Sequence, residues 1–174
     1  MTSALPLTLD DLRQLTRWAE GCASRALPVF EAHCPGDPRP REALAAALEF
    51  ADGAERTGVL RKAAWAAQAA ARDAIDPAAT AAARAAVAAA GAAYTHPIAT
   101  AHQLNHILAP AGYAAHALAL RSQDPARVGD MEIDSAIASA PSAVRNLIAQ
   151  LPPRAPSRTA LGRLFHRLDT GLRR

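Results

Sequence analysis

Three of the six histidines in this 174-residue chain, His96, His102 and His106, fall in the short run from Tyr94 to His106. Residues four apart on a helix are neighbours on one face, with side-chain bases about 6 Å apart. His102 and His106 can therefore share a proton, anchor a partner helix, or offer two neutral imidazoles to a divalent metal such as zinc. The residues between them, Gln103-Leu104-Asn105, lack the glutamate of the zinc hydrolase pattern. His96 sits at a different helical angle, and His116 lies about 15 Å beyond His106 on a straight helix. Further metal ligands must come from other helices, with Glu20, Glu42 and Glu49 as available carboxylates. We read the pair first as a polar anchor between helices and second as a metal site.

Two other groups of residues invite chemistry. In Asp37-Pro38-Arg39-Pro40-Arg41, two prolines hold the chain extended, so Arg39 and Arg41 can grip phosphate or carboxylate, or tie the loop to adjacent helix ends. The tying role is the simpler reading. Near the C-terminus, Arg158, Arg163, Arg167, Arg173 and Arg174 form a basic patch beside a stripe of Leu161, Leu164, Phe165, Leu168 and Leu172. Such a helix can lie on an anionic surface, whether nucleic acid, membrane or protein, which leaves a weak nucleic-acid-associated protein as an alternative, but its leucines more simply cover a core while its arginines are solvated. Trp18 and Trp65 read as core or interhelix packing. The chain carries no phosphate-binding loop with its lysine, no Gly-x-Ser-x-Gly turn and no cysteine pair at zinc-finger spacing. We expect a binding protein rather than an enzyme, with no resident cofactor beyond a divalent metal at the histidine pair.

These residues need a helical frame. Alanine makes up roughly a quarter of the chain and is the strongest helix former. Thr8 with Asp11 predicts a capped first helix over 9–33, bent at Pro28. A second starts at Pro40 and ends at Asp52-Gly53, and a third spans 59–75. Asp76-Pro77 opens a fourth that ends near Gly91 to Tyr94. Thr95 and Pro97 predict the start of a fifth, the histidine helix, running to Leu120 with a kink at Pro110. Short helices follow over 131–140 and 141–151, then the extended Pro152-Pro153-Arg154-Ala155-Pro156 and a last helix from Ser157. No segment alternates like a strand. The expected fold is a compact antiparallel bundle of about six to eight helices, with 1–151 as the bundle domain and 152–174 as a Pro-rich linker and basic helix packed on it.

Composition bounds the partners. The formal charge of +3 and pI near 9.4 are too modest to argue nucleic-acid binding. Arginine supplies nearly all the positive charge, Lys62 being the one lysine, and arginine, alanine and proline enrichment points to a GC-rich bacterial source. No apolar run approaches the ~20 residues of a membrane span. Cys22 and Cys34, on one predicted helix, would stand about 18 Å apart, beyond disulfide reach. With no basic and apolar leader in Met1 to Leu7, these features predict a cytoplasmic protein.

Several separated patches together resemble a known family. They are Leu12-Arg13, Trp18-Ala19, Cys22-Ala23, Arg25, Leu27 and Phe30-Glu31, then Asp37 with Arg39-Pro40-Arg41, then Ala81 to Ala86, then Ala101-His102, His106 and Tyr113-Ala114. Their order and spacing over roughly 9–120 resemble the immunity-protein-five-like family of bacteria, with the tail matched loosely. The chain departs from the family pattern at Pro97, beside His96, and at Pro110. Some members are labelled as an exonuclease subunit, which the missing ATPase motif does not support. The resemblance implies an all-helical protein that neutralises a cognate toxin by occluding it, and Trp18, Arg25, Asp37, Arg39, Arg41, His102 and His106 are the motif residues it singles out. Inhibitors of basic nuclease toxins are commonly acidic, so the mild positive charge points to a toxin of another kind.

Overall fold

A computed structural model describes residues 6–174; residues 1–5, part of the stretch read as leaderless, lie outside the described residues. The chain is all-α: α1 (Leu9–Ser24), α2 (Leu27–His33), α3 (Arg39–Ala51), α4 (Gly58–Asp73), α5 (Pro77–Ala92), α6 (Ala101–Leu120), α7 (Pro125–Ser139), α8 (Ser142–Ala149) and α9 (Ala160–Leu172). No strand occurs among the described residues, and none of their helices is long and apolar enough to cross a membrane.

The alanine tract explains the architecture. Every buried residue of α5 is alanine, and methyl side chains let neighbouring helices approach closely without interlocking long side chains. α4 and α6 pack along α5, while α1, α2 and α3 close over its other sides. Larger residues fill the remaining core: Leu15, Phe30, Leu104, Ile107, Leu108, Ile133, Ile148 and Leu168 are at most 1% exposed. A smaller apolar cluster of Leu12, Phe50, Leu60 and Ala67 joins α3 and α4 to the C-terminal end of α5.

Local chemistry sets most helix ends. The Thr8 hydroxyl accepts from the Asp11 amide while the Asp11 carboxylate accepts from the Thr8 amide. Asp76 caps α5 through the Ala79 amide. Gly36 and Gly53, at φ 83° and 118°, turn the chain out of α2 and α3 where other residues would be strained.

Several boundaries differ from expectation, among them the last helix, which starts at Ala160 behind a Thr159 cap and not at Ser157. Pro28 has no N–H to offer the Ser24 carbonyl, so α1 ends at Ser24 instead of bending, and Pro28 takes the tolerated first-turn place in α2. That split raises the count to nine helices among the described residues and puts Cys22 and Cys34 on different elements, both as free thiols. Thr95 does not open the histidine helix; its hydroxyl donates to the Ala92 carbonyl and ties off α5, and Thr100 caps α6 by accepting from the Gln103 amide. α7 begins at Pro125, with Asp124 accepting from the Arg127 amide, and is longer than expected. Pro110 lies inside α6, which continues past it.

The tail after α8 returns to the bundle. α9 packs on α6 and α7 through close approaches at glycine. A side chain at Gly112 of α6 would strike the Phe165 ring, one at Gly129 of α7 would meet Leu164, and one at Gly171 of α9 would strike Ile137. Arg154, in the extended linker, donates its backbone N–H to the buried Asp169 carboxylate at 2.8 Å and pins the linker to α9.

Candidate functional site

The residues singled out by sequence fall in three places. Trp18 and Cys22 of α1 and Arg25, its C-cap residue, lie on one face, and that face grips α7. The Trp18 indole N–H donates to the Ala136 carbonyl at 2.9 Å, with the ring 5% exposed. Arg25 makes a two-pronged pair with Glu132, at 2.6 and 2.9 Å. Burial pushes the Cys22 thiol up to about 12, so it is an inert packing group. The cavity beside them, about 40 Å³, has room for a water or two.

The Arg-Pro-Arg segment, expected as an extended loop, is instead the first turn of α3, where Pro40 needs no N–H partner, and it is also bound internally. Arg39 clasps Asp37 at 2.9 and 2.7 Å and reaches Asp73 at the end of α4 at 2.9 Å. Arg41 makes a two-pronged pair with Glu31 of α2 at 2.7 and 2.8 Å. The hydrogen bonds from Arg39 hold the Asp37 carboxyl below its ordinary range. Both guanidiniums already face carboxylates, and this first turn of α3 ties α2 and α4 to it. The C-terminal patch is divided: Arg167 spans Asp130 and Asp134 of α7, Arg173 pairs with Asp169, and Arg163 donates to the Arg158 carbonyl. Arg158, Arg163 and Arg174 make no ion pair among the described residues.

The histidine pair opens on a different kind of surface. His102 and His106 are both exposed, their rings edge to face at 4.3 Å, with the two Nε2 atoms 2.8 Å apart. That is the separation of a shared proton, one ring donating and the other accepting; two imidazoles on a tetrahedral zinc would hold their nitrogens about 3.3 Å apart. Partial burial, then the nearby His102 and His96, lower the pKa of His106. Glu20, Glu42 and Glu49 do not join the pair, and no group of three or more His, Cys, Asp or Glu suited to a metal occurs among the described residues.

What surrounds the pair is a groove of about 1050 Å³, at the upper end of small-molecule pockets and open along its length. Three helical stripes build it. α4 presents Trp65, Gln68 and Arg72, α5 presents Arg84, Val87, Ala88 and Gly91, and α6 presents His102, His106, Ala109 and Tyr113. Because α4 and α6 each pack on α5 rather than on one another, the small residues of α5 form a floor and the two flanking helices form walls. The linker and α9 close one side: Arg154 hydrogen-bonds Asn105 and stacks over Phe165, 5.0 Å from the ring centre, and Phe165 meets Tyr113 edge to face at 5.8 Å. Arg84 lies over the Tyr113 ring at 5.8 Å. Trp65, expected in the core or between helices, is 66% exposed on the wall.

The family model described as Imm-5 like putative immunity protein matches residues 5–143. The chain belongs to this family. No curated protein and no solved structure was found to match it. The Imm-5 like match spans α1 through α7 and therefore includes the α1/α7 clamp, the Arg-Pro-Arg turn and the floor and main walls of the groove. It stops short of the linker and α9, which bring Arg154, Leu161 and Phe165 to the groove rim. Within the Imm-5 like fold, the Trp18, Arg25, Asp37, Arg39 and Arg41 motifs sit in ion pairs and hydrogen bonds that position helices, whereas His102 and His106 face solvent.

Sequence reasoning missed Trp65, Arg72, Arg84 and Arg154 as site residues. A signal was present: Arg61, Trp65, Gln68 and Arg72 recur at the i, i+4, i+7, i+11 spacing of one helical stripe, opposite an alanine stripe. Large polar and aromatic residues confined to one face of an alanine helix mark the side that α5 does not cover.

Proposed function

We propose that this chain protects its producer by binding a cognate toxin stoichiometrically in the cytoplasm and occluding it, without a catalytic step of its own. Membership of the immunity family over residues 5–143 carries the reading. The surface chemistry supports it: the groove offers tryptophan, tyrosine and arginine, the residue types that dominate binding energy at protein interfaces. The rest of the bundle supplies rigidity, since its long-range ion pairs hold the helices that carry those side chains.

Co-expression tests this directly. Products of the genes flanking this one are expressed alone and with it in a neutral host. The expected result is one product that arrests growth, growth restored by this chain, and an equimolar complex on size-exclusion chromatography. Restoration without a complex would indicate catalysis, and flanking products that never arrest growth would remove the reading.

A further inference from the structure

The groove walls carry positive charge that the fold leaves unneutralised. Arg72 and Arg84 are exposed and Arg154 is half-buried, and none of the three pairs with a carboxylate among the described residues. Arg154 contacts Asn105 through one terminal nitrogen, and its Nε is buried without a partner. Elsewhere arginines are of both kinds: Arg17, Arg25, Arg39, Arg41, Arg127, Arg167 and Arg173 each hold an aspartate or glutamate, while Arg158, Arg163 and others on the surface hold none among the described residues. Among the described residues no Asp or Glu lines the groove, although the chain contains nearly as many acidic as basic residues, 16 against 19. The segregation gives this face one sign of charge inside a concave wall, where the field is focused.

The floor adds a second requirement. Ala88, Gly91 and Ala109 present backbone and methyl surface between those cations. Gly91 is exposed, has ordinary backbone angles, and has open space where a side chain would stand. A glycine inside a helix costs about 1 kcal/mol relative to alanine. It heads the closing turn of α5, its carbonyl accepting from the Tyr94 amide, but its backbone angles do not require glycine and no close-packed neighbour does, and its effect is to keep the floor low. From Ala64 to Arg72 the α4 wall runs about 12 Å, which an extended peptide covers in about four residues.

We propose that the groove is the docking site for an acidic segment of the partner protein, a stretch that alternates carboxylates with apolar side chains. The carboxylates meet Arg72, Arg84 and Arg154, and the apolar residues lie on Trp65 and the alanine floor. The proposal rests on the reading of this chain as a toxin-binding protein and adds the chemistry of the toxin surface: acidic and partly apolar, in keeping with the basic charge of the inhibitor.

The two tryptophans supply the test. The Trp65 indole stands in the groove, and the Trp18 indole is buried and hydrogen-bonded on α1. In ¹⁵N-labelled full-length protein, titration with a peptide of about six residues alternating glutamate and leucine should move the Trp65 indole resonance and leave Trp18 in place. Charge reversal in an Arg72→Glu, Arg84→Glu double variant, and filling of the floor by Gly91→Leu, should each weaken the response at least ~10-fold, as should raising salt from about 50 to about 500 mM for the wild type. An unmoved Trp65, an equal response in both variants, or a stronger response to single-stranded oligothymidine than to the acidic peptide would overturn the proposal. Growth protection separates the two readings. If the wild type protects and both variants protect equally, the groove inference falls and toxin binding stands. If the wild type protects against no flanking product, the toxin reading falls while the peptide titration still decides the groove.

Discussion

The two tryptophan-centred regions of this molecule use the same residue types to opposite ends. At the α1/α7 clamp, Trp18 is 5% exposed with its N–H satisfied, and Arg25 is matched by Glu132. In the groove, Trp65 is 66% exposed and Arg72 and Arg84 face no carboxylate among the described residues. An aromatic ring and an arginine therefore say little by themselves. Whether the fold supplies their partners decides if they are framework or contact surface.

The comparison breaks if the two tryptophans behave alike. Trp18→Ala removes a buried ring and leaves a cavity, and should lower the unfolding free energy by about 3–5 kcal/mol. Trp65→Ala should change it by less than about 0.5 kcal/mol. Urea titration of both variants measures this, and equal losses would mean that Trp65 is part of the core. The rim is probed next by Gly112→Val, which drives a side chain into the Phe165 ring and should cost about 1–3 kcal/mol, loosening α9 and the Arg154 wall with it.

Smaller effects sharpen the contrast in charge. Arg25→Ala leaves Glu132, only 17% exposed, without its partner, and should cost about 1 kcal/mol because Arg25 itself is half in solvent. Arg84→Ala strips no ion pair and should fall within about 0.5 kcal/mol of wild type. A similar loss from both would end the distinction between paired and unpaired arginines.

The smallest expected effect is on pH dependence. His106 and His116 both have pKa values lowered in the folded chain, chiefly by burial. The unfolded chain therefore binds protons more readily, so their stabilising contribution is complete above the ordinary histidine value of about 6.5 and is lost as pH falls through the folded values. Asp11 and Asp37 are lowered as carboxylates, so their contribution is present above about 3.8 and is lost on the acid side of it. Thermal melts should show a shallow fall in Tm below neutrality and a steeper one below about pH 4. His116→Gln should flatten the first fall more than any single change among the groove arginines.

Much of this fold was legible because helix ends are local chemistry. Thr8, Asp76 and the Pro40 start were readable from adjacent residues, and so was the all-α class from alanine content and the lack of strand periodicity. The misread boundaries show where local rules compete. Asp124-Pro125 carries the same cap-and-proline signal as Asp76-Pro77, yet the expected helix begins only at Met131, past Gly129. Gly129 is small because Leu164 of a helix thirty-odd residues later packs on it, and no local window contains that fact. The groove was hidden for the same reason. Its stripes on α4 and α6 are separately periodic, but only the packing of both onto α5 turns them into facing walls. His102 and His106 were legible as a pair, and their exposure was not, because a histidine at helical spacing fits a polar anchor and an open wall equally well.

The methyl side chains of α5 have a consequence for motion. Alanine has no rotamers, so burying the ten alanines of this helix costs no side-chain entropy, and the surface they present to neighbouring helices cannot change by a rotamer hop. A shape change near the groove would require whole helices to slide. A partner reaching this face meets a floor already in its bound form, and the ordering cost of association is confined to the wall side chains Trp65, Arg72 and Arg84.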